Sequence, residues 1–271
     1  MKINIFGSTG IIGSKCLQLI DNLFPSIKIN LLCADKNYLK LSKQANIYLP
    51  KYIFINDKSK ILNLKKNINL KKTRILDHDE LRAYLSQTKT DYSLLSISGY
   101  KSLNYLDLIL KNSSSLGLVS KEAIVSAGHL FIKYSKNYRN KIYPLDSEHF
   151  SISQFINITS HFNLDKLTLT ASGGPFFNHK FLSLKNVSFK NASNHPNWKM
   201  GYKNSIDSAT LANKCLELIE AHYLFDIPFD KLDAVIHPES KIHSIFQYNN
   251  YIYNMIAFQN DMSIPIYNFL N

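Results

Sequence analysis

Short apolar stretches alternate with helical patterns along the first half of the chain, as they do in parallel α/β domains. The first apolar stretch covers residues 2–6, and a glycine-rich segment separates it from a helical pattern that includes Cys16, Leu17 and Ile20. Further apolar stretches predict strands at residues 27–32, 52–55, 91–98, 116–119 and 141–145. This alternation predicts an α/β fold that begins with a Rossmann-like dinucleotide-binding domain over residues 1–145.

From residue 146 onwards the alternation changes to a mixture of strands and helices, which predicts an α+β domain over residues 146–271. A strand is expected at residues 166–170, and a serine and two glycines follow it at residues 172–174. The last strands are expected to be antiparallel, with a hairpin turn at Asn249-Asn250. They are predicted at residues 234–237, 243–248 and 251–258.

A helical pattern between these strands carries a polar row opposite an apolar row. The apolar row contains Leu211, Cys215, Leu218 and His222, and the polar row contains Asn213, Glu217 and Glu220. A surface helix and a helix that lines a binding site both show such rows. The pattern alone therefore does not decide between the two.

The composition is that of a folded protein from a reducing compartment. The chain has 271 residues, of which 45% are hydrophobic, enough for one large or two medium domains with a buried core. Its three cysteines are scattered, no signal peptide is recognisable, and no apolar run approaches the length of a membrane span. We therefore expect a cytoplasmic protein without a membrane partner.

The formal net charge of +12 is compatible with a nucleic-acid partner, with an anionic substrate, or with a composition that is merely rich in lysine. The lysines are spread along the chain, and no nucleic-acid-binding motif accompanies them. We therefore expect no nucleic-acid partner. The other two explanations stay open and are compatible with each other.

The glycine-rich segment after the first strand has the spacing G-x-x-G-x-x-G over residues 7–13. Between a strand and a helix, such glycines let the backbone approach a pyrophosphate at the amino end of the helix. The adenosine ribose is expected beyond the second strand. There Asp35 favours the 2′-hydroxyl group of NAD, whereas Lys36 favours the 2′-phosphate of NADP, so these residue types leave the choice of cofactor open.

Two carboxylates, Asp146 and Glu148, follow the last strand of the first domain. In an extended segment they would point the same way and share Mg²⁺ or Mn²⁺, whereas acids at a helix amino terminus would give the same sequence. Glu217 on the later helix is the candidate third ligand. Ser172, beside two glycines, either presents its hydroxyl group to a phosphate or belongs to a tight turn.

Eight motifs occur in an order that is typical of one enzyme family. They are GSTGIIG at 7–13, SKE at 120–122, LDSEH at 145–149, ASGGPF at 171–176, HPNWKMG at 195–201, IDSATLANKCLE at 206–217, HPES at 237–240 and DMSIPI at 261–266. Together they resemble the motifs of 1-deoxy-D-xylulose 5-phosphate reductoisomerase. The resemblance implies that a homodimer rearranges 1-deoxyxylulose 5-phosphate and reduces it with NADPH to 2-C-methylerythritol 4-phosphate, with a divalent cation on the substrate's oxygens, in the non-mevalonate isoprenoid pathway.

The resemblance also implies roles for single residues. The cation would be held by Asp146, Glu148 and Glu217, and the other catalytic residues would be Lys121 and His195. The phosphorylated sugar would contact Ser147, Glu148, Ser172, His195, Trp198 on a lid, Ser208, Asn213, Lys214 and Glu217. The cofactor would contact Gly7, Ser8, Thr9, Gly10, Ile11, Ile12, Asp35, Lys36, Asn37, Ser120, Lys121, Glu122, Met200 and Gly201. Glu220 matches no role in the family and is interpreted as part of a solvated helix face.

Several features depart from the family pattern. Ile11 replaces a serine, Asp35 a glycine and Ser120 an asparagine. Asp35 predicts weaker NADPH binding or a relaxed choice between NADPH and NADH, because a carboxylate repels a 2′-phosphate. Family members continue beyond the DMSIPI motif into a helical domain, which we expect to be absent here because the chain ends at Asn271. These departures leave a non-catalytic dinucleotide-binding or dimer-forming remnant as an alternative. A separate alternative is an unrelated NAD(P) dehydrogenase that works without metal.

Overall fold

The computed structural model describes residues 1–158, 164–193, 202–249 and 251–271, which form two compact units. The first unit consists of Met1–Leu145 together with Met262–Asn271, and the second of Asp146–Asp261. From the sequence, all residues after 145 were expected to belong to the second domain. In the structure the last helix instead belongs to the first unit, because its apolar residues are buried in the core of that unit.

Seven parallel strands form the sheet of the first unit, in the order β4-β3-β2-β1-β5-β6-β7. They are β1 (Lys2–Phe6), β2 (Lys28–Ala34), β3 (Tyr52–Ile55), β4 (Arg74–Leu76), β5 (Thr90–Leu95), β6 (Ser113–Leu118) and β7 (Lys141–Pro144). After β4 the chain crosses to the other side of β1, so the strand order reverses between β1 and β5. In sheets of this kind ligands bind at the carboxyl ends of the strands where the order reverses.

Helices connect these strands and bury their apolar faces against the sheet. They are α1 (Ile11–Leu23), α2 (Tyr38–Tyr48), α3 (Ile61–Lys66), α4 (His78–Gln87), α5 (Leu106–Asn112) and α6 (Lys121–Tyr138), with 3₁₀ turns at Lys58–Lys60 and Tyr100–Tyr105. The strands are nearly continuous apolar runs because they are covered on both faces. Ile3, Ile5, Leu32 and Leu94, for example, are fully buried.

In the second unit, the described residues include a four-stranded sheet with the order β11-β10-β8-β9. The strands are β8 (Leu164–Ala171), β9 (Leu232–Ile236), β10 (Ile242–Tyr248) and β11 (Ile252–Ala257). Strand β10 is antiparallel to β11, as expected, and also to β8, whereas β9 pairs in parallel with β8. Strand β9 therefore runs opposite to β10, as expected for the last strands, but its hydrogen-bonded neighbour is β8, because the long helical connection after β8 returns the chain in the same direction.

The helices that follow β7 are α7 (Ser147–Ile158), α8 (Phe189–Ala192), α9 (Tyr202–Ala209), α10 (Ala212–Phe225) and α11 (Ser263–Leu270), with 3₁₀ turns at Phe181–Asn186 and Phe229–Lys231. The core of the second unit joins Ile152 and Phe155 of α7 to Leu167, Ala221 and Phe246. The predicted fold class, a Rossmann-like domain followed by an α+β domain, is thus confirmed. Among the residues that the structure describes, no helix has the length and apolar character of a membrane span.

Candidate functional site

Helix α10 buries its charged side chains and exposes part of its apolar row. Lys214, Glu217 and Glu220 are each at most 5% exposed, whereas Leu211 is 40% exposed and Cys215 is also exposed. The interpretation of Glu220 as a solvated residue was therefore wrong. Its burial is possible because the charges on this helix are paired with charges on α7 and just before it, which offsets their loss of hydration.

Three carboxylates converge at the junction of α7 and α10. Asp146 lies immediately before α7, Glu148 lies in the first turn of α7, and Glu217 lies on α10. One oxygen from each carboxylate lies within 4.8 Å of the others, which makes the group a candidate metal site. Of the two geometries that the sequence left open, the structure shows the helix amino terminus, where the helix dipole also favours the acids.

A lysine and two polar side chains hold these carboxylates. The Lys214 ammonium group lies 2.6 Å from Oε1 of Glu148 and contacts Oε2 of Glu217. Asn213 donates its amide N–H to Glu217, and Ser147 donates its hydroxyl group to Glu148. Burial and the neighbouring Glu217 raise the pKa of Glu148 to about 7, while Lys214 acts in the opposite direction.

His149 connects α7 to α10 beside the carboxylates. Its Nδ1 lies 3.1 Å from Oδ1 of Asp146 and 3.5 Å from Oε2 of Glu220, and its Nε2 lies 2.9 Å from the carbonyl oxygen of Glu217. Burial opposes a charge on His149, but Glu220 and Asp146 outweigh it and raise the pKa of the imidazole to about 9. Neither His149 nor Glu220 was predicted from the sequence to have a role in the site. Their spacing of three residues from Asp146 and Glu217 was the available signal.

The charge of this cluster fits a divalent cation. When all groups are ionised, four carboxylates (Asp146, Glu148, Glu217 and Glu220) face two cationic side chains (Lys214 and His149), which leaves two negative charges in excess. His243 lies nearby, but burial lowers its pKa and favours its neutral form. Carboxylate oxygens are the donors that Mg²⁺ and Mn²⁺ prefer. The donor set and its net charge therefore suit such an ion.

A glycine turn contacts both predicted phosphate-binding residues, Ser172 and Ser208. Gly174 has a φ of +71°, and a Cβ atom there would lie 2.5 Å from the carbonyl oxygen of Ser208 at the end of α9. The Gly174 N–H also donates to the Ser172 hydroxyl group at 3.2 Å. A glycine is required at this position because only it allows both the conformation and the contact.

A second candidate site, in the first unit, is a cavity of about 340 Å³ at the carboxyl ends of the strands where the order reverses. Gly7 has a φ of +89°, and a Cβ atom there would lie 2.5 Å from the carbonyl oxygen of Ser96, which is beyond the end of β5. The glycine turn thus brings backbone close to the cavity and to the amino terminus of α1. This arrangement suits a dinucleotide phosphate.

The predicted cofactor residues differ in how they relate to this cavity. Gly7, Thr9, Gly10 and Asp35 line it. Ser8 is buried and donates to Gln44, Ile11 is 52% exposed, and Asn37 accepts from the N–H of Lys40 as the cap of α2. Ser120 precedes α6, but its hydroxyl group donates to the carbonyl oxygen of Ile97 instead of capping the helix. Ile12 is half-buried, Lys36 is exposed, Lys121 is buried, and Glu122 is half-buried.

Asp35 has two partners that the sequence analysis did not identify. The Asn56 side chain donates to Oδ1 of Asp35 at 2.7 Å, and the Lys101 ammonium group lies 3.8 Å from Oδ2. All three side chains line the same cavity. Neither partner could be found from the sequence, because residues 56 and 101 follow different strands and only the parallel sheet brings them to Asp35.

Four predicted site residues lie outside the described residues. They are His195, Trp198, Met200 and Gly201. Their roles on the substrate lid and near the nicotinamide therefore stay predictions, as do the roles of the residues placed above.

Comparison with known proteins identifies one family along most of the chain. The sequence profile of 1-deoxy-D-xylulose 5-phosphate reductoisomerase matches residues 3–128, and that of its C-terminal domain matches residues 142–225. The 1-deoxy-D-xylulose 5-phosphate reductoisomerase of Pelagibacter ubique is 38% identical over 269 residues, which cover 98% of this chain and 69% of that protein.

Solved structures agree with this comparison. A crystal structure of DOX-P reductoisomerase in complex with NADPH, fosmidomycin and magnesium is 34% identical, with a TM-score of 0.91, and the match covers all of this chain and 69% of the other. The Zymomonas mobilis 1-deoxy-D-xylulose 5-phosphate reductoisomerase in complex with NADPH is 30% identical, with a TM-score of 0.84 over 98% of this chain and 68% of the other. The expected resemblance is therefore confirmed for both fold and family.

Proposed function

Because this chain belongs to the 1-deoxy-D-xylulose 5-phosphate reductoisomerase family, we propose that it rearranges 1-deoxyxylulose 5-phosphate and reduces the product with NADPH to 2-C-methylerythritol 4-phosphate. The observation that carries the proposal is the convergence of Asp146, Glu148 and Glu217 within 4.8 Å of one another. Related structures contain magnesium and NADPH, which supports the same two requirements here.

The carboxylates would hold Mg²⁺ or Mn²⁺, which when bound supplies a Lewis acid for the negative charge that develops on the substrate's oxygens. Asp146, Glu148 and Glu217 come from α10 and the start of α7, so the packing of these elements fixes their spacing. Asn213 and Ser147 hold the carboxylates of Glu217 and Glu148 in place. The chain itself thus orients the reacting oxygens before any bond changes.

Lys214 has a second role in this proposal. Its ammonium group now contacts Glu148 and Glu217, the same carboxylates that would serve as metal ligands. When the cation is present, Lys214 would exchange these partners for the substrate phosphate, which Asn213 would also contact. The Ser172 hydroxyl group and the backbone of Ser208 both lie against Gly174. The hydroxyl groups of these two serines would donate to the phosphate.

The cofactor would bind in the cavity of the first unit, with its pyrophosphate against the turn from Gly7 to Gly10. The N–H groups of Gly7 and Ser8 both donate to the carbonyl oxygen of Cys33, which holds this turn against the end of β2. The turn is therefore a preformed part of the site.

The direct test is substrate-dependent oxidation of NADPH with Mg²⁺ or Mn²⁺. We expect Glu217→Gln to lower kcat/KM by at least about 100-fold and to weaken Mn²⁺ binding, because it removes a charged ligand. Asp233→Asn is the matched control, since this carboxylate is on the exposed strand β9 and pairs with Lys166. A folded wild-type protein that shows no turnover with saturating cofactor and cation would refute the proposal.

The alternative of a non-catalytic remnant is supported by the replacements at Ile11, Asp35 and Ser120. The convergence of the three carboxylates with Lys214 argues against it, because a protein that only binds dinucleotides has no need of them. Tight binding of a phosphonate mimic of the substrate that requires Mn²⁺ would exclude the remnant. Binding of NADPH without any cation-dependent binding of the mimic would support it.

A further inference from the structure

We propose that a second cavity in the first unit, at the amino ends of its strands, binds an anion that carries two linked phosphate groups. The cavity has a volume of about 610 Å³ and lies at the opposite end of the sheet from the dinucleotide cavity. It is lined by residues at the start of β1 and β2, before β3 and β4, and at the ends of α1 and α2. The proposed reaction uses none of these residues, so the inference is independent of the proposed function.

A lysine stands at the amino end of each of four neighbouring strands. Lys2 and Lys28 are the first residues of β1 and β2, and they pair with each other in the register of these strands. Lys51 directly precedes β3, and Lys72 lies two positions before the first residue of β4. All four line the cavity. Because neighbouring strands are about 4.8 Å apart, the four cations form a row along one end of the sheet.

The positive charge of this row exceeds the negative charge around the cavity. Among the described residues, Asp21 is the one carboxylate in the lining. The carbonyl ends of α1 and α2 add roughly half a negative charge each. Four positive charges therefore face about two negative ones, and like charges on neighbouring strands repel each other. A bound anion would relieve this repulsion.

The segment that includes Lys72 strengthens the positive potential. Residues 58–74 contain seven lysine or arginine residues and no acidic residue. Such a potential raises the local concentration of anions at the mouth of the cavity. A lysine-rich composition alone would scatter its cations over the surface, whereas here successive strands of one sheet each bring a lysine to the same cavity.

The size of the cavity favours a small ligand over a macromolecule. Small molecules bind in cavities of about 300–1,000 Å³, whereas nucleic acids and membrane surfaces contact lysines on an open face. Lysine binds phosphate as a point charge, and four lysines in a row offer more charge than one phosphate group requires. The half-buried Tyr48 also lines the cavity, and its hydroxyl group can donate to a phosphate oxygen.

Two sources of a diphosphate group fit these observations. One is inorganic pyrophosphate, and the other is an organic molecule that carries a diphosphate. The exposed side chains of Ile47 and Leu49 in the lining offer an apolar contact to the organic part of such a molecule. The comparison of pyrophosphate with ADP distinguishes the two sources.

The experiment measures how far a ligand protects single lysines from acetylation. The wild-type chain is acetylated without divalent cations in the presence of phosphate, pyrophosphate or ADP, and mass spectrometry gives the extent of reaction at each lysine. We expect pyrophosphate to protect Lys28, Lys51 and Lys72 at about one tenth of the phosphate concentration that is needed for the same effect. Protection of Lys101 by ADP reports the dinucleotide cavity, so the two sites are distinguished. Protection of the lysine row by ADP at lower concentration than by pyrophosphate would identify an organic diphosphate, and the reverse order would identify the inorganic ion.

Single substitutions test the same site through the Kd of pyrophosphate, measured by calorimetry. Lys28→Gln and Lys51→Gln should each weaken binding about tenfold. Neither should lower the melting temperature, because each removes one of several repelling charges. Lys43→Gln is the matched control, because Lys43 is an exposed lysine of α2 outside the lining of the cavity, and its Kd should equal that of the wild type.

Equal protection by phosphate and pyrophosphate, or a Kd that is unchanged in both Lys28→Gln and Lys51→Gln, would overturn the proposal. It would also be overturned if an oligonucleotide or vesicles of anionic lipid protected these lysines and pyrophosphate did not, because the row would then belong to an open surface. Wild-type turnover of substrate with NADPH does not depend on either result, so failure here leaves the proposed function standing.

Discussion

Glu220 lies one helical turn beyond the candidate ligand Glu217 and touches the imidazole of His149, which in turn touches the candidate ligand Asp146. A charged imidazole between two carboxylates restricts the orientation of each, as partners of metal ligands commonly do. His149 also donates to the backbone of Glu217, so it ties α7 to α10. We therefore expect Glu220 to act on the candidate metal site through His149 without being a ligand itself.

Replacement of Glu220 by glutamine tests this positioning role. The change keeps the shape of the side chain, removes one negative charge from the buried cluster and weakens the hold on His149. We expect Mn²⁺ affinity, measured by electron paramagnetic resonance of the free ion, to fall about tenfold. Asp233→Asn again serves as the exposed control. Unchanged Mn²⁺ affinity in a Glu220→Gln protein with a lowered melting temperature would mean that Glu220 has only a structural role.

At the scale of elements, helix α10 explains what the sequence could and could not predict. Its helical pattern and its polar row, including Glu217, were predicted, because both depend on residues close in sequence. The sequence did not predict which of the two rows is buried, because burial depends on Glu148 and His149 of α7, about seventy residues away in the chain. For the same reason the glycine turn was predicted, whereas the partners of Asp35 were not.

Helix α11 packs its apolar side chains into the first unit, although it follows the second unit in the sequence. Phe269 is buried between the rings of Tyr92 and Tyr143, at centroid distances of 5.5 Å, and a Cβ atom on Gly117 would lie 2.9 Å from its ring. The ring thus packs directly on the backbone of β6. The helix therefore contributes to the same hydrophobic core as strands β1, β2, β3 and β5 of the sheet.

Phe269→Ala is expected to lower the free energy of unfolding of the first unit by about 3–5 kcal/mol, because it leaves a cavity in this core. Urea unfolding followed by circular dichroism and by loss of NADPH binding measures the effect. Asn268→Ala, on the exposed side of the same helix, should change stability by less than about 0.5 kcal/mol. An equally small effect of Phe269→Ala would show that α11 is not needed by the first unit.

At the scale of the whole molecule, the exposed strand β11 indicates how a second copy would bind. It stands at one end of the order of the four described strands, where its backbone groups face no further strand in that order. Its exposed side chains include Ile252, Tyr253 and Met255, and Tyr251 just before it is 87% exposed. Edge strands with apolar side chains of this size are normally covered, since they otherwise promote aggregation.

We therefore expect a homodimer in which β11 lies at the interface. Light scattering with size-exclusion chromatography should give about twice the monomer mass of 31.1 kDa. Tyr253→Glu should shift the protein towards the monomer, because it places a charge in an apolar contact, and should leave dinucleotide binding in the first unit intact. Leu62→Lys, at a residue 71% exposed on α3, is the control and should remain dimeric. A monomeric wild-type protein would rule out the dimer, and a Tyr253→Glu protein that stays dimeric would place the interface on a different surface from β11.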